Sequence, residues 1–119
     1  METEKIKRFT SAWIQAWNDH NLEVILEHYA DNVDFRSPII WQLQINECGN
    51  IMDKQVLRAY FEKALLKYPD LTFELYHELY GVNSVVLVYR SVSNSLSAEY
   101  MELNEEGKIQ RVRAHYQWH

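Results

Sequence analysis

Tyr29-Ala30-Asp31-Asn32-Val33-Asp34-Phe35-Arg36-Ser37-Pro38 is where the periodicity of this chain changes. Upstream, apolar residues recur at three- and four-residue steps, as on one face of a helix. At Asp31-Asn32 that period stops, and Val33, Asp34, Phe35 and Arg36 alternate as a strand does. Pro38 has no N–H to give a ladder and biases its predecessor towards extended geometry, so it ends the strand. The corner therefore sets the end of a strand, and Ser37 with it, at the mouth between helices and sheet.

Upstream, Ile6, Phe9, Trp13, Ala16 and Trp17 make one apolar face over residues 5–18, with Lys5, Lys7, Arg8 and Gln15 opposite. Residues 18–21 are a break, and Asn21 is a good N-cap for a second helix with the stripe Leu22, Ile25, Leu26, Tyr29. So short a connection implies an αα-hairpin or a sharp bend. Downstream, Ile39, Trp41, Leu43 and Ile45 alternate with Ile40, Gln42, Gln44 and Asn46, which predicts an irregular strand or flap before a turn at 47–50. Asp53 caps a third helix carrying Val56, Leu57, Tyr60, Phe61, Ala64, Leu65 and Tyr68, and Pro69 stops it.

From Leu71 onward the period becomes two. Leu71, Phe73, Leu75, His77 and Leu79 form one column, followed by a turn at 81–83 and by Val85, Leu87 and Tyr89. Ser97, Glu99, Met101 and Leu103 come next, then a hairpin loop at 104–107. The last strand sends Val112, Ala114, Tyr116 and Trp118 to the helices, and Arg111, Arg113, His115 and Gln117 away. Three helices in the N-terminal half, packed on one face of a curved, mainly antiparallel sheet, are an α+β arrangement. No repeat or linker interrupts it, so residues 1–119 read as a single domain.

A chain of 119 residues buries about two-thirds of its unfolded surface. Its four Trp, eight Tyr and four Phe exceed what a minimal core needs, so some are expected to line a cavity. A formal charge of −5 with scattered Lys and Arg argues against nucleic acid as a partner. No apolar run approaches the roughly 18 residues of a membrane span. The start Met-Glu-Thr-Glu-Lys is charged and unlike a signal peptide, and Cys48 stands alone, so the expectation is a cytoplasmic protein without an intramolecular disulfide. Three Gly in all, and no Gly-x-Ser-x-Gly, Cys-x-x-Cys or His-Glu-x-x-His, argue against a phosphate cradle and leave no cofactor or metal to expect. His115 and His119 share a face but have no third ligand nearby in sequence.

Three stretches, with the order of elements, carry a family resemblance: Trp17-Asn18-Asp19-His20-Asn21-Leu22 through Tyr29-Ala30-Asp31-Asn32, the Phe35-Arg36-Ser37-Pro38 corner, and Gly107-Lys108-Ile109 through Arg113-Ala114-His115-Tyr116. Together they resemble the cone-shaped fold of nuclear transport factor 2, and more narrowly its small SnoaL-like and ketosteroid-isomerase-like members. The resemblance covers nearly the whole chain and implies an NTF2-like cone with an internal pocket. This superfold hosts isomerases, cyclases, hydrolases, dehydratases and non-enzymatic binding modules, so the fold alone assigns no reaction. Ketosteroid isomerases pair an Asp base with an oxyanion hole made from a Tyr and a protonated Asp. By matching motifs the base falls on Ser37, the Tyr on Trp13 and the protonated acid on Glu99. A Ser hydroxyl does not take a carbon acid's proton without a base to activate it, which argues against steroid isomerisation.

Among single residues, Glu99 shares its column with Met101 and Leu103, so its carboxyl is expected inside, desolvated and raised in pKa, as a catalytic acid. The plainer reading is a structural Glu paired with an Arg or Tyr; Arg36 is the expected nearby cation. His77 is the candidate catalytic partner, against a plainer role as a core or rim histidine. Trp13, Trp17, Tyr89, Tyr116 and Trp118 are candidate pocket walls, with Ser37 at the entrance, against the alternative that they are simply core. Asp31 is expected to accept backbone N–H bonds at the corner. These features together predict a SnoaL-like protein that binds a small apolar molecule and acts as an acid/base isomerase or cyclase-type enzyme. The alternative is a non-catalytic ligand-binding or dimerisation module. A homodimer is expected through the outer sheet face, with Arg111, Arg113 and His115 against Glu74 and Glu78.

Overall fold

The computed structural model describes residues 3–91 and 94–117. The order is α1 (Thr3–Asn18), α2 (Leu22–Glu27), β1 (Tyr29–Arg36), α3 (Pro38–Gln42), β2 (Asn50–Ile51), α4 (Lys54–Lys67), β3 (Glu74–Gly81), β4 (Ser84–Arg90), β5 (Leu96–Leu103) and β6 (Ile109–Tyr116). The three expected helices are α1, α2 and α4. In α1 the buried face is Ile6, Thr10, Trp13, Ala16 and Trp17. His20, at φ +55°, turns the chain, and the Asn21 side chain accepts from Val24 N to start α2. Asp53 caps α4 by accepting from Gln55 N at 2.7 Å and Val56 N at 3.2 Å.

Two segments differ from the sequence expectation. Residues 38–42 form a short helix rather than a flap. Pro38 lacks only an N–H that the first turn would leave unpaired, and Ser37 Oγ accepts from Ile39 N at 3.2 Å as its N-cap. Ile39, Ile40 and Leu43 then pack into the core at helical spacing. Strand β1 begins at Tyr29, which is therefore not the end of the helical stripe. Asp31 is fully exposed beside Lys54 at 3.7 Å, because the corner is held by strand pairing instead. Gly49, at φ +68°, lies so close to the Trp41 indole that an added Cβ would stand 2.8 Å from Nε1.

The strands form one sheet in the order β2-β1-β6-β5-β4-β3. All neighbours are antiparallel except β1 and β6, which run parallel with Phe35 opposite Val112. Residues 71–73 precede β3 and are pinned to α1, Asn18 exchanging two hydrogen bonds with the Phe73 backbone. On β6 the register is the expected one: Val112 and Ala114 are buried, while Arg111 and His115 are exposed. Arg113 lies flat on the outer face and donates to Asp34 Oδ2 at 2.9 Å. Arg111 and Arg36 approach the same carboxylate at 4.0 and 3.8 Å. Among the described residues, no helix is long and apolar enough to cross a membrane.

Candidate functional site

The inner face of the sheet and the buried faces of α1 and α4 meet in a cage of aromatic rings. Alternation on β5 sends Ser97, Glu99, Met101 and Leu103 into it, and Glu99 lies between Leu87 of β4 and Ala114 of β6. Glu99 is 4% exposed. Burial pushes its pKa up to about 7, and the hydrogen bond from Tyr89 restrains the rise. That bond, Tyr89 Oη to Glu99 Oε1, is 2.5 Å long. No cation contributes: the Arg36 side chain is 57% exposed on the outer side, facing Asp34.

Trp13 and Trp17 of α1 form one wall, stacked or tilted on Phe73 with centroids 5.4 Å away in each case. Tyr29 and Phe35 of β1 and Tyr60 and Phe61 of α4 continue the lining, with Phe61 edge-on to Trp17 at 4.8 Å. Tyr29, Tyr60, Tyr89 and Tyr116 are all shifted upward, mainly by burial and next, for three of them, by the charge of Glu99. For Tyr60 and Tyr116, hydrogen bonding with Ser37 opposes the shift. The free volume of the cage is about 40 Å³. That holds a few waters or the head of a ligand, well short of the roughly 300 Å³ of a typical ligand site. The cage opens past Tyr68, Leu71 and Ser91 into a surface groove of about 500 Å³ rimmed by Lys67, Asp70, Glu74 and Arg90.

Of the residues picked from sequence, Trp13, Trp17, Tyr89, Glu99 and Tyr116 come together on this cavity. Ser37 is buried beside Tyr60 and Tyr116, but its hydroxyl is engaged as the α3 cap and does not line the space. Trp118 lies outside the described residues, as does His119. His77 is elsewhere: it is exposed and pairs with Val88 on the outer face. The reason is a bulge between Leu75 and His77, which breaks the alternation so that Leu75 shares a face with Tyr89 while His77 and Leu79 point away. Tyr29, Tyr60, Phe35 and Phe61 line the cavity although their spacing read as ordinary core. The available signal was the phenol hydroxyls on Tyr29 and Tyr60, which need partners once buried.

Comparison with known proteins agrees with this architecture. The SnoaL-like domain family matches residues 10–115. A SnoaL-like protein of unknown function from Burkholderia thailandensis is 35% identical and superposes with a TM-score of 0.92, each chain covering 99% of the other. Bal32a, from a soil-derived mobile gene cassette, is 16% identical with a TM-score of 0.79 over 98% of this chain and 92% of that one. The epoxide hydrolase/cyclase-like enzyme SalBIII, of pyran ring formation in the polyether salinomycin, is 17% identical with a TM-score of 0.78 over 98% of this chain and 93% of that one. The last two show a shared fold alone. Among proteins with curated descriptions, none matches. With most of its length covered by the family and a near-complete structural match at 35% identity, the chain belongs to the SnoaL-like family.

Proposed function

We propose that this protein binds a small apolar molecule in the aromatic cage and that Glu99 acts on it as an acid, in an isomerase- or cyclase-type reaction. The observation that carries the reading is a carboxyl buried in an apolar site with one oxygen tied to Tyr89. Tyr89 donates to Oε1, which leaves Oε2 to carry a proton. With a pKa of about 7, a large share of the protein holds that proton at neutral pH. A ligand oxygen placed in the cavity accepts it, and general acid help of this kind contributes about 10²–10⁴-fold. The small volume of the cage admits the reacting head, while the body of the ligand occupies the groove beyond Ser91.

A second reading, a non-catalytic binding or dimerising module, is favoured by Ser37. It stands where related isomerases carry a base, and its hydroxyl is committed to α3. In both readings the outer sheet face supplies a homodimer contact, since Val86, Val88 and Ala98 are only half-buried there beside an exposed Leu79. The deciding experiment is a panel of small cyclic ketones and lactones screened by thermal shift at pH 6 and pH 9. Stabilisation that is larger at pH 6 and loses its pH dependence in Glu99→Gln is the expected result. No stabilisation at either pH leaves the module reading.

A further inference from the structure

We propose that Asn18 and His20, at the end of α1, are positioning residues that pin residues 71–73 as a wall of the cage and so set the size of ligand it admits; this rests on the pocket reading above. Both belong to the stretch Trp17-Asn18-Asp19-His20-Asn21-Leu22, whose residues divide the work. Trp17 lines the cage, Asp19 is exposed, and Asn18 and His20 are half-buried against the chain ahead of β3. Asn18 accepts from Phe73 N at 2.7 Å and donates to Phe73 O at 3.1 Å. His20 Nε2 lies 2.8 Å from Leu71 O, and a carbonyl oxygen only accepts, so the imidazole donates from Nε2.

The pinned stretch stands between two spaces. Leu71 and Phe73 are 7% and 8% exposed and line the cage, while Leu71 and Thr72 line the groove. Residues 68–73 lie in neither helix nor strand, so no sheet ladder fixes them. They are fastened by the three bonds to Asn18 and His20 and by a turn bond from Leu71 N to Tyr68 O at 3.0 Å. The Phe73 ring also packs on Trp13, Trp17 and Tyr89. The cage volume of about 40 Å³ therefore depends on where Leu71 is held. A ligand head that fits leaves these bonds whole. A larger one has to push Leu71 towards the groove of about 500 Å³ and break the His20 bond, and its affinity falls by the worth of that bond.

The test measures the affinities of cyclopentanone and cyclooctanone by NMR titration of wild type, His20→Gly and Asn18→Ala. Both probes carry the same carbonyl, so the ratio of their affinities reads ring size. Gly adopts the backbone of His20, at φ +55°, without strain. Each variant is expected to shift the ratio about fivefold towards the larger ring, which corresponds to one hydrogen bond. A general loss of stability weakens both probes alike and leaves the ratio where it was. Asn18→Asp keeps an acceptor for Phe73 N; it is expected to shift the ratio less, and it serves if Asn18→Ala does not fold. A ratio unchanged in the variants overturns the role of Asn18 and His20 and leaves the pocket reading standing. Failure of wild type to bind either probe overturns both.

Discussion

Tyr89 reaches diagonally from β4 to β5 and donates to Glu99 Oε1 at 2.5 Å. This bond favours the carboxylate, while burial favours the neutral acid and is the larger influence. Removing the phenol hydroxyl in Tyr89→Phe should therefore move the Glu99 pKa further above 7, followed through the side-chain carboxyl carbon by NMR. A downward move would show that Tyr89 does not stabilise the ionised form.

Glu99 also ties folding to pH. Its folded pKa of about 7 lies above the ordinary 4.5, so between those values the folded protein binds more protons than the unfolded chain. Stability from this group is fully present below pH 4.5 and is lost as pH rises to about 7, a total of about 3 kcal/mol. Urea unfolding at pH 5 and pH 8 should show the fall in wild type. In Glu99→Gln it should be absent.

Asp34 should matter more than an ordinary surface acid. Its side chain is 19% exposed and faces Arg113 and Arg111 across the parallel strand pair and Arg36 on its own strand. Asp34→Asn is expected to cost about 2 kcal/mol, as for a charged hydrogen bond lost from a partly buried site. Denaturant unfolding in low and high salt measures it, with a smaller difference in high salt.

The outer sheet face is the place to test association. Sedimentation at micromolar concentration should give a dimer, and Leu79→Glu a monomer, since Leu79 is 57% exposed beside Val86. His77→Ala should leave ligand affinity unchanged, because the bulge puts His77 on that outer face. A wild-type monomer would remove the dimer from the proposal.

Gly49→Ala should destabilise the segment before β2. The substitution forces a side chain into left-handed backbone, at about 1–2 kcal/mol, and drives its Cβ to 2.8 Å from the Trp41 indole. A loss of exposed-tryptophan fluorescence polarisation together with a lower Tm would register both effects.

Much of the fold was readable because long elements repeat their signal. The α1 and α4 stripes extend over several turns, β5 alternates along its length, and β6 alternates from Arg111 onward, past the irregularity at its start. The short elements were not readable in the same way. Ile39, Trp41 and Leu43 fit a strand period, whereas Ile39, Ile40 and Leu43 fit a helical one, and five residues are too few to separate them. Ser37-Pro38 is also a helix-start pair, a meaning that competes with proline as the end of a strand.

Alternation gave the face of Glu99 correctly, since no bulge lies between Ser97 and Met101. It misplaced His77 for the opposite reason: one extra residue at Tyr76 reverses the facing of everything beyond it. Tyr29 was hidden because its spacing continues the α2 stripe. Its hydroxyl and the two indoles around it are brought together only by tertiary contact, which no local period encodes.

The parallel pairing of β1 with β6 has a kinetic side. It joins Tyr29 to Ile109 and Phe35 to Val112, the longest sequence separations in the sheet. Closing so long a loop costs entropy before the contacts return anything, whereas the β3–β4 and β5–β6 hairpins close locally. The β1 wall with Tyr29 is therefore expected to dock after the hairpins have formed, completing the cage. Trp13, bonded to Tyr29, sits at that closing seam, so its fluorescence times the last step of folding.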